Sequence, residues 1–150
     1  EPAKVQLAMT VPSLARREGK ELRFKPPIEW SPQELFSLAE RKHPVLLGSP
    51  RTLRWKVTLN LPAGAQVKRL PGDVDLGSAC LHLTRKVRAT TPGQLVAEQE
   101  VQMRCERVEV KDYAAHRAEV EQMMRRLDEE LVIDVARAKA PAPASLEAQP

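Results

Sequence analysis

The stretch Arg51–Leu70, RTLRWKVTLNLPAGAQVKRL, decides the fold class. Leu53, Trp55, Val57, Leu59 and Leu61 take alternate positions, with Arg54, Lys56, Thr58 and Asn60 between them. Successive side chains of a strand point to opposite faces, so the run has one apolar face and one wet face. Trp55 is expected in the core. Pro62-Ala63-Gly64 breaks the run, and a second short strand, Ala65–Leu70, follows. This is the pattern of a half-buried strand in an antiparallel β domain, and it carries no chemistry by itself.

C-terminal to it, Pro71-Gly72-Asp73 is a turn, and Ala79–Arg88 and Leu95–Val110 form a hairpin closed by Thr90-Thr91-Pro92-Gly93-Gln94. Pairing Leu83 with Val101 and Leu81 with Met103 brings both apolar sets together, and a slip of one residue exposes one of them. Arg85 and Gln99 fall on the same inner face and are expected near a rim. Asp112 opens a helix running to about Glu130, with Tyr113, His116, Val120, Met123, Met124, Leu127 and Leu131 as its apolar stripe. Leu131–Val135 follows as a final strand.

On the N-terminal side, Val5, Leu7, Met9 and Val11 alternate as a first strand ended by Pro12. Leu22 and Phe24 supply a second, with RREGK before it as a solvated connection. Ser31-Pro32-Gln33-Glu34 has cap, proline and acid in place for a short helix over 32–39. Val45-Leu46-Leu47 is a short strand, and Gly48-Ser49-Pro50 turns into the Arg51 strand. The expected architecture is mainly β (α+β): an antiparallel two-layer β-sandwich-like domain with the C-terminal helix, near 112–130, packed on the sheet. A single domain over 1–137 and an Ala/Pro-rich disordered tail over 138–150 complete the reading.

Composition bounds the function classes. A hydrophobic share of 42% is enough for a core. No apolar run approaches the length of a membrane-spanning helix, so a soluble domain is expected. Glu1-Pro2-Ala3-Lys4 carries no signal-peptide pattern, as in a segment cut from a longer chain. The net charge of +4 comes from 24 basic and 20 acidic residues, well mixed, and aromatics are 3%. Nucleic-acid binders cluster their cations and interleave stacking aromatics, so no nucleic-acid partner is expected.

Few residues point to chemistry. Cys105 falls on the apolar face of the hairpin and Cys80 on the opposite one, beside His82 and Thr84. Thiols on opposite faces cannot meet disulfide geometry unless a β-bulge intervenes, so a small buried Cys105 and a half-exposed Cys80 are expected. Cys80 and His82 are two ligands at most, where a structural zinc site wants four. A Cys-His nucleophile needs a base in reach, but His43 sits in a turn and His116 on the helix stripe. No catalytic residue, cofactor or metal is assigned. The basic positions Arg51, Arg54, Lys56, Lys86 and Arg88 gather on the outer sheet face, with Glu98, Glu100 and Glu106 as cross-strand partners. Arg54, Lys56, Thr58, Asn60, Lys86 and Arg88 are the candidate partner-binding face.

The order of the pieces resembles a known family. Arg41-Lys42-His43-Pro44-Val45, Val57-Thr58-Leu59-Asn60-Leu61-Pro62-Ala63-Gly64, Val67-Lys68-Arg69-Leu70-Pro71 and Asp112-Tyr113-Ala114-Ala115-His116-Arg117 carry the likeness, over about Arg41 to Val135. It is similar to the C-terminal β domain of unknown function that follows the core of bacterial transglutaminase-like proteins. The resemblance implies a β-sandwich-like domain outside the cytoplasm, in the periplasm or cell envelope, with no activity of its own. Its partner would be the upstream transglutaminase-like core, where the catalytic Cys-His-Asp set resides, or another envelope protein. The other reading is an independent β module binding a cell-envelope polymer or protein.

Overall fold

In the computed structural model, which describes residues 14–28 and 30–138, the hairpin register follows from its apolar alternation. β7 (Leu81–Thr91) and β8 (Gln94–Met103) are antiparallel, with Leu81 opposite Met103 and Leu83 opposite Val101. The long strand is β4 (Arg51–Asn60), paired to β8 over all ten residues without a bulge. β6 (Val74–Gly77) adds on the far side of β7, giving a four-stranded sheet in the order β4-β8-β7-β6.

A second antiparallel sheet lies over part of the first. β1 (Arg16–Glu18), β2 (Glu21–Phe24), β10 (Leu131–Asp134) and β5 (Gln66–Arg69) form it, in the order β1-β2-β10-β5. The strand after Pro62-Ala63-Gly64 therefore leaves the sheet of β4. Gly64 makes that turn with φ +86°, and a Cβ there would meet the Arg137 carbonyl oxygen at 2.5 Å. β3 (Val45–Leu46) and β9 (Arg107–Val108) form a separate two-stranded ribbon. Helix α1 (Tyr113–Leu127) buries Tyr113, Val120 and Met123.

The core has two parts. Leu81, Leu83, Val101 and Met103 pack with Val74, Val45, Leu47, Val108 and the buried face of α1. Val87, Leu95 and Ala97 pack with Phe24, Leu131 and Ile133 of the second sheet. Trp55 and Leu53 are half-buried against the first cluster, Val57 and Leu59 against the second. A mainly β architecture with one long C-terminal helix is thus what the chain adopts.

Several expected elements change. The helix over 32–39 is only a 3-10 turn at Pro32–Glu34, without a side-chain cap from Ser31. Leu35 and Leu38 remain exposed, and beyond Pro32 only Phe36 is buried, stacked on Tyr113 at 5.7 Å. One apolar contact does not repay the cost of ordering a longer helix. The RREGK connection is mostly β1, with the turn confined to Gly19-Lys20. The C-terminal helix ends at Leu127, and a further strand, β6, lies beyond the Pro71-Gly72-Asp73 turn. The expected first strand (Val5–Val11) lies outside the described residues, as does the tail after Ala138.

Arg85 and Gln99 are not at a rim. They face each other across the hairpin, 1% and 4% exposed, between the two apolar clusters. Arg85 Nη2 donates to the Gly72 carbonyl at 3.2 Å and lies 3.5 Å from Glu129 Oε2. Glu129 also accepts from the Gly72 N–H at 3.0 Å, and its Oε1 lies 2.8 Å from Arg126 Nε as an ion pair. The segment just after α1 thus clamps the turn into β6. Burial lowers the Arg85 pKa, and the Glu129 carboxylate opposes that shift.

Candidate functional site

The wet face of the first sheet is built by the cross-strand register. Arg54 lies opposite Glu100, and Glu100 opposite Thr84. One pair further along, Lys56 lies opposite Glu98, and Glu98 opposite Lys86. Period-2 alternation puts all six side chains on one surface. They line an open groove of about 460 Å³, to which Trp55 and Gln99 also contribute.

Charges in the groove are neighbours of opposite sign. Arg54 Nε donates to Glu100 Oε2 at 2.5 Å, and Lys56 Nζ lies 3.1 Å from Glu98 Oε1. Hydrogen bonds from Gln102 and then Arg54 hold the Glu100 carboxyl below its ordinary value. Lys86 is exposed beside Glu98, with no ion pair among the described residues. The surface is a charge-alternating ladder, suited to a polar partner that brings its own alternating charges and hydrogen-bonding groups.

The six sequence-derived positions separate into two groups. Arg54, Lys56 and Lys86 line the groove. Thr58 and Asn60 continue along β4 past its end, where Asn60 Oδ1 accepts from Gln94 Nε2 at 3.2 Å. Arg88 turns to the sheet margin, where both its terminal nitrogens bond Asp73 and hold that carboxyl below its usual range. Thr84 belongs to the groove and was legible only as a neighbour of His82 on β7. His82 Nε2 lies 2.7 Å from Asp75 Oδ1, toward the β6 edge. His116 Nδ1 lies 3.2 Å from Glu119 on the helix.

Cys80 and Cys105 are joined in a disulfide, with Cα atoms 4.9 Å apart. The opposite-face argument fails because both lie outside the strands, Cys80 before Leu81 and Cys105 after Met103. There the chains no longer alternate, and the Arg104 N–H donates to the Cys80 carbonyl. The bond removes Cys80 as a thiol ligand or nucleophile. Among the described residues no group of three or more His, Cys, Asp or Glu side chains is arranged to hold a metal. No helix there is long and apolar enough to cross a membrane.

These ion pairs set an acid dependence. The carboxyls of Glu100 and Asp73 have folded-state pKa values below their ordinary 4.5 and 3.8. Their contribution is therefore complete above those values and is lost as pH falls through the depressed ones. Urea midpoints measured downward from about pH 6 should begin to drop near pH 4.5, less steeply in Arg54→Gln and Arg88→Gln variants. An unchanged acid slope in both variants would show that the pairs contribute nothing.

Comparison with known proteins adds context to this geometry. A similar fold occurs in the crystal structure of "a putative protease from Parabacteroides distasonis ATCC 8503", with a TM-score of 0.57 and 9% sequence identity. The match covers 75% of this chain but only 23% of that one, so the chain spans under a quarter of the neighbour's length. At that identity the likeness is one of fold. No curated protein sequence matches. Residues 20–133 match the model of a family described as a domain of unknown function with a solved structure, DUF3858. With most of its length, the whole first sheet and α1 inside that match, the chain belongs to the DUF3858 family.

Proposed function

We propose that this chain is a non-catalytic accessory domain of a larger bacterial transglutaminase-like protein, supporting the core or mediating protein contacts outside the cytoplasm. The observation that carries the reading is that the same fold occupies 23% of a much longer solved chain, where it is one part among others. The ordered motifs from Arg41 to Arg117 support the link to a transglutaminase-like neighbour. The Cys80–Cys105 disulfide favours an oxidising compartment, since cytosolic thiols are kept reduced. Catalysis would then belong to the upstream core, and this domain would act through its surfaces.

The test is the parent protein. Its sequence should carry a transglutaminase-like segment N-terminal to this domain, and a structure of the full chain should show the two in contact over at least roughly 1,000 Å². A parent chain without such a segment ends the proposal. The groove favours a second reading, an independent β module for a charged envelope polymer. On that reading, reversing Lys56 and Lys86 to glutamate weakens retention on an isolated envelope fraction at least about tenfold, with the largest loss at low salt. Undiminished retention of the double variant removes that reading.

A further inference from the structure

The first sheet ends in an edge strand that is long and regular. Among the described residues β4 pairs with β8 alone, over ten residues without a bulge. The other edges of the two four-stranded sheets are short: β1 has three residues, and β5 and β6 have four each. The Leu61 N–H donates to the Gly93 carbonyl, so Leu61 turns its backbone toward β8. Backbone direction alternates along a strand, so Arg54, Lys56, Thr58 and Asn60 turn their N–H and C=O to the open side. Burial falls off at the same edge. Leu95, Ala97 and Val101 on β8 are fully buried, whereas Leu53, Trp55, Val57 and Leu59 on β4 are half-buried.

We propose that this edge pairs antiparallel with β4 of a second copy of the chain, about a two-fold axis at Val57. Antiparallel hydrogen bonding joins outward-turned residues only to outward-turned residues, which leaves few registers. Centred on Lys56, the two lysines oppose each other, and centred on Trp55, Arg54 opposes Lys56 of the second copy. Like charges directly opposite are destabilising. Centred on Leu53 or on Thr58, Lys56 meets Pro50 or Arg54 meets Pro62, and proline has no N–H to give. Centred on Val57, Arg54 falls opposite Asn60 and Lys56 opposite Thr58, in both directions. On the inner face the same register sets Trp55 beside Leu59 and Val57 beside Val57. These are the positions between hydrogen-bonded pairs, where opposed side chains come closest.

Lysine on an edge strand ordinarily guards it. Here Lys56 Nζ lies 3.1 Å from Glu98, and Arg54 is paired with Glu100, so each cation already meets a carboxylate of β8. The interface is self-complementary, as a two-fold dimer requires. One sheet then runs through both copies, and the two charged grooves lie side by side on its wet face. This pairing is independent of the accessory role proposed above, since it needs no transglutaminase-like neighbour.

Sedimentation of the whole chain from about 1 µM to about 1 mM tests this, the range in which a small strand-pairing interface dissociates. The chain should pass from monomer to dimer within it. Thr58 is exposed, so its replacement leaves the core intact. Thr58→Lys sets a cation opposite each Lys56 and should weaken the dimer at least about tenfold, whereas Thr58→Glu should tighten it by a few-fold. The Arg54, Lys56, Thr58 and Asn60 amides should exchange several-fold faster on dilution, while those of Trp55 and Val57, turned toward β8, stay slow. A chain that remains monomeric up to about 1 mM overturns the proposal. So does a dimer unmoved by Thr58→Lys or loosened by Thr58→Glu. Outward β4 amides that exchange equally slowly at every concentration overturn it too, because the edge is then filled from within one chain.

Discussion

Replacing Arg85 with alanine is expected to destabilise the fold by about 3–5 kcal/mol, while methionine at the same place costs less than about 1.5 kcal/mol. Arg85 is 1% exposed between the two core clusters, so truncation opens a cavity at the centre of the hairpin. It also removes the hydrogen bond to the Gly72 carbonyl and the cation facing Glu129. Methionine restores most of the stem volume and carries no charge to desolvate. Glu129 keeps Arg126 as its partner, and the exposed Gly72 carbonyl turns to water.

Arg85 is also only partly satisfied. Its Nε, and Gln99 Nε2 beside it, are buried and make no hydrogen bond to protein groups. The double variant Arg85→Met, Gln99→Leu should therefore be at least as stable as the unmodified chain, because two costly polar groups leave the core together. Urea midpoints at unchanged m-value provide the measurement. An alanine variant that loses less than about 1 kcal/mol would show that the cation holds nothing in place. A methionine variant as damaged as alanine would show that the charge, and not the stem, closes the turn at Gly72.

That pairing marks where the sequence is informative and where it stops. The β7–β8 register was legible because both strands alternate strictly, so one register alone buries both sets. The β4 faces were legible for the same reason, although the half-burial of Trp55 reflects an edge that period 2 cannot reveal. Arg85 was placed at a rim because a cation on an apolar face usually seeks water. The groups that receive it, Gly72 and Glu129, come from a turn and a helix end that no local pattern connects to β7. The groove followed from the register: once Arg54, Glu100 and Thr84 are opposite one another, their common face is fixed. Ser31-Pro32-Gln33-Glu34 gave a valid helix start, but with Leu35 and Leu38 left exposed there was no buried stripe to extend it. The cysteines were misread by carrying strand alternation one residue past Leu81 and two past Met103, where the strands have ended.

The disulfide between Cys80 and Cys105 is expected to be worth about 3.5 kcal/mol. It closes a loop with a sequence separation of 25, which in the chain-entropy description restricts the unfolded state by that amount. Its place adds a folded-state effect, because it ties the open ends of β7 and β8 together beside Leu81 and Met103, both buried. A Cys80→Ala, Cys105→Ala chain should melt roughly 10 °C lower, and reduction of the unmodified chain should give nearly the same shift. Agreement between the two removes the objection that alanine merely packs badly. Fraying should be local first: the amides near Leu81 and Met103 should lose protection before those at the Thr90–Gln94 turn. A cell compartment that keeps thiols reduced would then hold the domain well below its oxidised stability, which is the physical support for the proposal that it works outside the cytoplasm. Equal melting temperatures for the oxidised, reduced and alanine forms would remove that reason and leave the compartment to be decided by the parent chain alone.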